Sequence, residues 1–246
     1  SSAVTPPPRS EAPEPDRLAP PIEIVGLGRI GYAEGLDRQR EHHAEVLGAR
    51  ESGDRLLGRV LVLEHDPVIT VTRRASASGH VLAPPEALSR AGIEVHETDR
   101  GGDVTYHGPG QVVVCPIIAP KRLGLGLHDH IRLMEAAVIE ALASLGVEGR
   151  RDEGATGVWL PDPGGGPDAK VCAMGVRVRR WVTLHGLALN VSTDLSHFAH
   201  IVPCGLAGRP VTSLREHAGV DDWSAARDAV IAALMNRWSA RLAGRG

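Results

Sequence analysis

A thiol attacks a carbonyl only after losing its proton, and a neighbouring group has to make that loss easy. The chain has three cysteines, Cys115, Cys172 and Cys204, and of its 27 basic residues only Lys121 and Lys170 are lysine. Arginine keeps its proton, whereas lysine can give it up when its surroundings change. Cys204 lies in Ile201-Val202-Pro203-Cys204-Gly205, where Pro203 and Gly205 favour a turn and Gly205 leaves room for an incoming carbonyl. It reads either as a nucleophile or as a small buried hydrophobe. Cys115, inside the apolar run 112–118, reads as the buried hydrophobe; Cys172, in an alternating strand, points into the core or toward a ligand wall. Lys170 opens the segment KVCAMGV. It reads as a solvated charge, as an ammonium that pulls a thiol below its ordinary pKa of about 8.5, or, when neutral, as a base.

Two glycine-containing segments accompany these residues. Arg100-Gly101-Gly102-Asp103-Val104-Thr105-Tyr106-His107-Gly108-Pro109-Gly110-Gln111 mixes hydrogen-bonding side chains with glycines that let a ligand approach the backbone. It is either such a cradle or a turn between strands, and it matches neither the phosphate loop nor the dinucleotide fingerprint. The second is the run 181–191, WVTLHGLALNV, with a His185-Gly186 step inside an apolar strand. Gly186 and Ala188 read as small residues on one face that leave a groove. His197, His200 and Cys204 could ligate zinc, but no fourth ligand is evident, so no metal and no cofactor is expected.

These residues need a scaffold. Residues 1–21, with seven prolines, read as a disordered tail, and 22–246 as one catalytic domain. Helical spacing marks 32–47, with Gly48 as its stop, then a helix capped by Asp129 and ended by Gly146, and a last helix over about 222–242. Strands are expected at 59–64, 68–72, 93–98, 112–118, 156–160, 171–178 and 182–191, with 161–168 a surface loop. Strands and helices interleave, which predicts an α/β (mixed α+β) domain. With 42% apolar and 23% charged residues the chain can build a core, and no apolar run reaches about 18 residues, so no membrane span is expected. A net charge of -3 gives no reason to expect nucleic acid. The few, odd-numbered cysteines and the absence of an apolar leader point to a reducing cytoplasm.

The motifs RGGDVTYHGPGQ at 100–111, KVCAMGVRVRRWVTLHGLALNV at 170–191 and TDLSHFAHIVPCG at 193–205 resemble the lipoyl(octanoyl) transferase (LipB) family of lipoate biosynthesis, with a weaker likeness at HDPVIT, 65–70. The resemblance implies a mixed sheet flanked by helices, the fold of the biotin and lipoate protein ligases. It implies an acyltransferase that moves octanoyl from octanoyl-acyl carrier protein to a lysine of a lipoyl domain, the acceptors being the lipoyl domains of 2-oxoacid dehydrogenase complexes and the glycine cleavage H protein. By the same resemblance Cys204 is the acyl-thioester nucleophile and Lys170 lowers its pKa. The substrate-binding positions map to Arg100, Gly101, Gly102, Asp103, Val104, Thr105, Tyr106 and His107, to Ala173, Met174 and Gly175, and to Gly186, Leu187 and Ala188. An ATP-dependent lipoate ligase and an octanoyl amidotransferase on the same fold are the alternatives. An acidic carrier would need a basic patch, for which Arg177, Arg179 and Arg180, Arg73-Arg74 and Lys121-Arg122 are the options.

Overall fold

The computed structural model describes residues 21–74, 77–203 and 208–244. The elements, in chain order, are β1 (Ile22–Ile30), α1 (Tyr32–Ser52), β2 (Gly58–His65), β3 (Val68–Thr72), α2 (Pro85–Arg90), β4 (Glu94–Thr98), β5 (Val104–His107), β6 (Gln111–Ile118), α3 (Leu127–Ser144), β7 (Val158–Leu160), β8 (Ala169–Arg179), β9 (Val182–Asn190), α4 (Leu214–Ala218) and α5 (Trp223–Ala243). They form two mixed sheets. The larger has the order β1-β2-β6-β9-β8-β7, with only β1 and β2 parallel; the smaller has the order β4-β3-β5, with β3 parallel to β4 and antiparallel to β5.

The central strands read as unbroken apolar runs because both faces of the large sheet are covered. Val60, Val62, Val112 and Val114 pack with Met134, Val138 and Leu142 of α3 and with Val230, Leu234 and Trp238 of α5. Their neighbours Leu61, Leu63, Val113, Cys115 and Ile117 face the other way, where Val46 and Leu47 of α1 meet them. The small sheet has its own core of Ile69, Val104, Tyr106, Leu88, Ile93 and Ile201.

The helix expected to stop at Gly48 runs on to Ser52 and ends at Gly53, whose φ of 77° is the left-handed closing conformation. An internal glycine costs a helix only about 1 kcal/mol, and Val46 and Leu47, buried against the sheet, outweigh that. Gly126 caps α3, and Asp129 sits at its third position, accepting from the Gly126 N–H at 3.2 Å. Strands β2 and β3 follow each other closely in the sequence, and Asp66-Pro67 carries the chain from one sheet to the other.

Candidate active site

Pro116 interrupts the ladder between β6 and β9, because proline has no N–H to donate. The paired register ends at Val114–Leu187, and Thr183 makes up part of the loss: its hydroxyl accepts from the Ile118 N–H at 3.0 Å and lies 2.7 Å from the Pro116 carbonyl. In this gap His185 takes a φ of 62°, a conformation a non-glycine residue adopts only when its surroundings fix it. Its backbone N–H, lost from the ladder, donates to Gln39 Oε1 of α1 at 2.8 Å. Gly186 is required here for a second reason besides the groove: a Cβ would lie 2.1 Å from the Val114 carbonyl oxygen. The glycine lets two strands close up, and His185 beside it lines the pocket.

That pocket is a cavity of about 60 Å³ between the large sheet, the small sheet and the start of α1. Of the expected substrate positions, Arg100, Gly102, Thr105, His107, Ala173, Met174, Gly175, Gly186, Leu187 and Ala188 line it. Val104 and Tyr106 do not; strand alternation turns them into the core of the small sheet. Gly101 packs on β8, where a Cβ would be 3.0 Å from the Val176 carbonyl oxygen, and Asp103 bonds to His80. Arg100 ties its own loop to β3, donating to the Thr70 hydroxyl and carbonyl and to the carbonyls of Gly101 and Asp103.

His185, singled out in the sequence beside Gly186, also lines it; Tyr32, His65, Val113 and Cys115, which the sequence reading did not place there, complete the lining. Cys115 does have the buried thiol expected of it, pushed up to about 12 by desolvation. Burial also holds His107 down to about 3 and His65 down to about 4. Burial lowers His185 too, against the opposing pull of Asp99, whose Oδ1 lies 3.0 Å from its Nε2. Burial works to raise Asp99, but the bond from His185 and the charge of Arg177, 2.7 Å away, leave it lowered. The wall is therefore a carboxylate outside and three neutral imidazoles inside. Tyr32 hydrogen-bonds Thr98 and stacks beside His107.

Lys170 sits at the other end, buried on the β8 edge. Its backbone N–H donates to the Pro210 carbonyl at 2.9 Å and its carbonyl accepts from Thr212 at 3.0 Å, so residues 210–212 lie alongside it. Its Nζ is 4.8 Å from the Trp159 ring centroid, and the Arg209 guanidinium stacks 4.0 Å from the same ring while pairing with Asp152. Gly157, at φ 124°, passes so close that a Cβ would be 2.5 Å from the Cys172 carbonyl oxygen and 3.5 Å from Lys170 Cε. Behind Gly157, buried Glu135 accepts its N–H and bonds Arg132 and Arg151. Lys170 also borders a small space with Thr105, Gln111, Ala173, Asn190 and Pro203. Thr105 and Ala173 are shared with the larger pocket, so the two spaces adjoin. A hydrogen-bonded chain joins them further: His107 to Gln111, Gln111 to Asn190, and Asn190 to the Thr212 carbonyl.

Cys204 and Gly205 lie outside the described residues. Cys172 is fully buried, with its thiol pushed up to about 12 by desolvation, and it belongs to the core. Among the described residues no group of His, Cys, Asp or Glu is placed to hold a metal ion. No described helix is long and apolar enough to cross a membrane. Of the basic options, Arg177 pairs with Asp99, Arg180 with Glu51 and Arg73 with Glu97, and Lys121 stacks on Trp181 at 3.3 Å.

A mixed sheet covered by helices, with a pocket closed by a glycine-rich loop and a small sheet, defines a class, and the chain matches the lipoyl protein ligase A/B catalytic domain over residues 32–239. Solved structures share the fold. The bipartite lipoate protein ligase of Thermoplasma acidophilum superposes with a TM-score of 0.62 at 18% identity, over 90% of this chain and 82% of that one. A lipoate-protein ligase A bound with ATP gives 0.60 at 20% identity, over 90% and 84%. Sequence relatives are more specific. The octanoyltransferase of Acidobacterium capsulatum is 46% identical over 78% of this chain and 79% of its own length, and that of Parabacteroides distasonis is 41% identical over 79% and 87%. The chain belongs to the octanoyltransferase (LipB) family and is an acyltransferase.

Proposed function

We propose that the protein transfers an octanoyl group from octanoyl-acyl carrier protein to a lysine of a lipoyl domain, with Cys204 as the thioester-forming nucleophile and Lys170 as the cation that favours its thiolate. The observation that carries this reading is the position of Lys170. Alone among the basic side chains of the described residues it borders the space that includes Pro203, the residue before Cys204, and this space adjoins the pocket. An ammonium beside a thiol favours the thiolate. The thiolate attacks the donor's thioester carbonyl, the carrier thiol leaves, and the amine of the acceptor lysine then displaces the enzyme thiol to form an amide.

In this reading the pocket takes the acyl chain. Val113, Leu187, Ala188, Ala173 and Met174 supply the apolar wall, and each buried methylene contributes about 0.8 kcal/mol. Met174, unbranched, is the lining side chain that adapts most easily to the tail. Neutral His65, His107 and His185 present no charge for the tail to meet. The small space beside Lys170 is where the thioester carbonyl would lie.

The test is transfer itself. Purified protein is mixed with octanoyl-acyl carrier protein and an unmodified lipoyl domain, and the acceptor is weighed by mass spectrometry. The acceptor gains an octanoyl group without ATP. A gain only with ATP and free octanoate would make the protein a ligase, and a gain only from an octanoylated protein donor would make it an amidotransferase.

A further inference from the structure

An apolar wall cannot refuse a longer acyl chain, because each added methylene gains burial. Length is set only where a barrier stands in the way of the tail. With the thioester carbonyl beside Lys170, as proposed above, the chain starts level with Asn190 of β9, which borders that space. An octanoyl chain has seven C–C bonds of about 1.5 Å each, so it reaches at most about 10 Å. Strand residues advance about 3.3 Å each, so the tail ends roughly three residues back along β9, near Leu187. Gly186 and His185 come next, and both line the pocket.

Backbone closes in at this level. Gly175 and Gly186 face each other across β8 and β9. A Cβ on Gly175 would be 2.5 Å from the Gly101 carbonyl oxygen, so the loop at 100–102 lies directly on β8, as β6 lies on Gly186. The side chain that β9 places at this end is His185, 6% exposed. It is tied at both ends. Its backbone, at φ 62°, donates to Gln39 Oε1 at 2.8 Å. Its Nε2 lies 3.0 Å from Asp99 Oδ1, and Asp99 Oδ2 accepts from Arg177 at 2.7 Å. A ring held in this way cannot swing aside as unbranched Met174 can.

A second, independent observation lies beyond the ring. Asp99, Arg100, Gly101 and Arg177 line a further hollow of about 230 Å³. Arg100 lines both this hollow and the pocket, and Asp99 borders the hollow while bonding His185 of the pocket. The His185–Asp99 pair is therefore part of a partition with space on its far side. We infer that His185, held by Asp99 and Arg177, is the end stop that sets the length of the acyl chain. The octanoyl tail fits in front of the ring, and the last two carbons of a decanoyl tail would have to occupy its place. The inference rests on the reading that the pocket takes the acyl chain with its carbonyl toward Lys170.

Purified protein is given octanoyl-, decanoyl- and dodecanoyl-acyl carrier protein in turn, with an unmodified lipoyl domain as acceptor, and the acceptor's mass gives kcat/KM for each donor. The ratio between donors is read within each variant, so a general loss of activity or stability cancels. His185→Gly, which suits the left-handed backbone, should raise the decanoyl-to-octanoyl ratio about 10-fold, the burial gain of two methylenes. Dodecanoyl should gain less, because its last carbons would meet the arginines of the hollow. His185→Asn is shorter than histidine and also tolerates the left-handed backbone; it should shift the ratio the same way and serves if the glycine variant does not fold. Asp99→Ala keeps the ring but unties it, and should give a smaller shift. Unchanged ratios in the His185 variants would overturn the inference. So would an equal shift in Met174→Ala, since length would then follow total pocket volume and not the end wall. Absence of transfer from every acyl carrier protein donor by the wild type would instead remove the donor proposed above. The same chain lengths are then compared as free acids with ATP, where the ratios decide in the same way.

Discussion

The two ends of the site are built on opposite electrical principles. Around His185 the protein has buried ionisable rings and kept them uncharged, His107 down to about 3 and His65 to about 4, both by burial. Around Lys170 it has gathered ionisable groups in pairs: Lys170 Nζ and the Arg209 guanidinium share the Trp159 ring, Asp152 holds Arg209, and Glu135 holds Arg132 and Arg151. Imidazoles can be neutralised cheaply because their ordinary pKa lies near 6.5, whereas carboxylates and guanidinium groups can be buried only in pairs. The uncharged wall and the charged corner thus draw on different side chains, and the His107–Gln111–Asn190 chain of hydrogen bonds links them.

The sharpest way to break this division is at the charged corner. Lys170→Ala should lower turnover on the order of 10³-fold, within the range of a lost acid–base or charge contribution, and leave the KM for the octanoyl donor nearly unchanged. Steady-state kinetics decide it: a rise in KM with turnover intact would move Lys170 to the binding end. Backbone closeness is the next largest effect. Gly186→Ala and Gly157→Ala each set a Cβ against a carbonyl oxygen, at 2.1 and 2.5 Å, and should each cost about 3 kcal/mol of stability, read by urea unfolding. If Gly157→Ala proved as stable as wild type, the tight packing behind Lys170 would be in error.

The neutral wall makes a pH prediction. His65 and His107 bind protons more weakly folded than unfolded, so the unfolded state takes up more protons below about pH 6.5. The stability they contribute is complete above that pH and drains away as pH falls toward their folded values of about 4 and 3. Unfolding free energy should therefore decline steadily from pH 6.5 to 4, and His107→Gln should flatten the decline. An unchanged slope in that variant would mean the ring is not neutral in the fold. The smallest effect is expected at Asp99. Asp99→Asn keeps an acceptor for His185 but loses the charge facing Arg177, half-exposed at the surface; stability should fall by under about 1 kcal/mol and donor KM rise a few-fold with turnover preserved.

Much of this was legible in the residues. Long periodic elements such as α3 and α5 announce themselves, and the motifs at 100–111 and 170–191 do carry most of the pocket lining. The polar wall was not legible, because nothing local marks Tyr32 at a helix start or His65 at a strand end as neighbours of His107. Strand β1 was missed: Gly26 and Gly28 dilute its pattern, and a register shift falls between them. Gly186 lines the pocket, but its second role was not legible, since a glycine that admits a ligand and one that admits a carbonyl look alike until β6 is placed opposite it. Glu135, buried on α3, pairs with groups that only the fold brings near.

The central claim is that acyl transfer passes through a thioester on Cys204. Its most direct test is the intact mass of the protein after mixing with octanoyl-acyl carrier protein in the absence of acceptor, alongside Cys204→Ala, Cys115→Ala and Cys172→Ala. The account predicts a hydroxylamine-labile octanoyl adduct that disappears only in Cys204→Ala, because the other two thiols are buried and held near 12. An adduct that survives Cys204→Ala, or its absence from protein that is active in transfer, would contradict it.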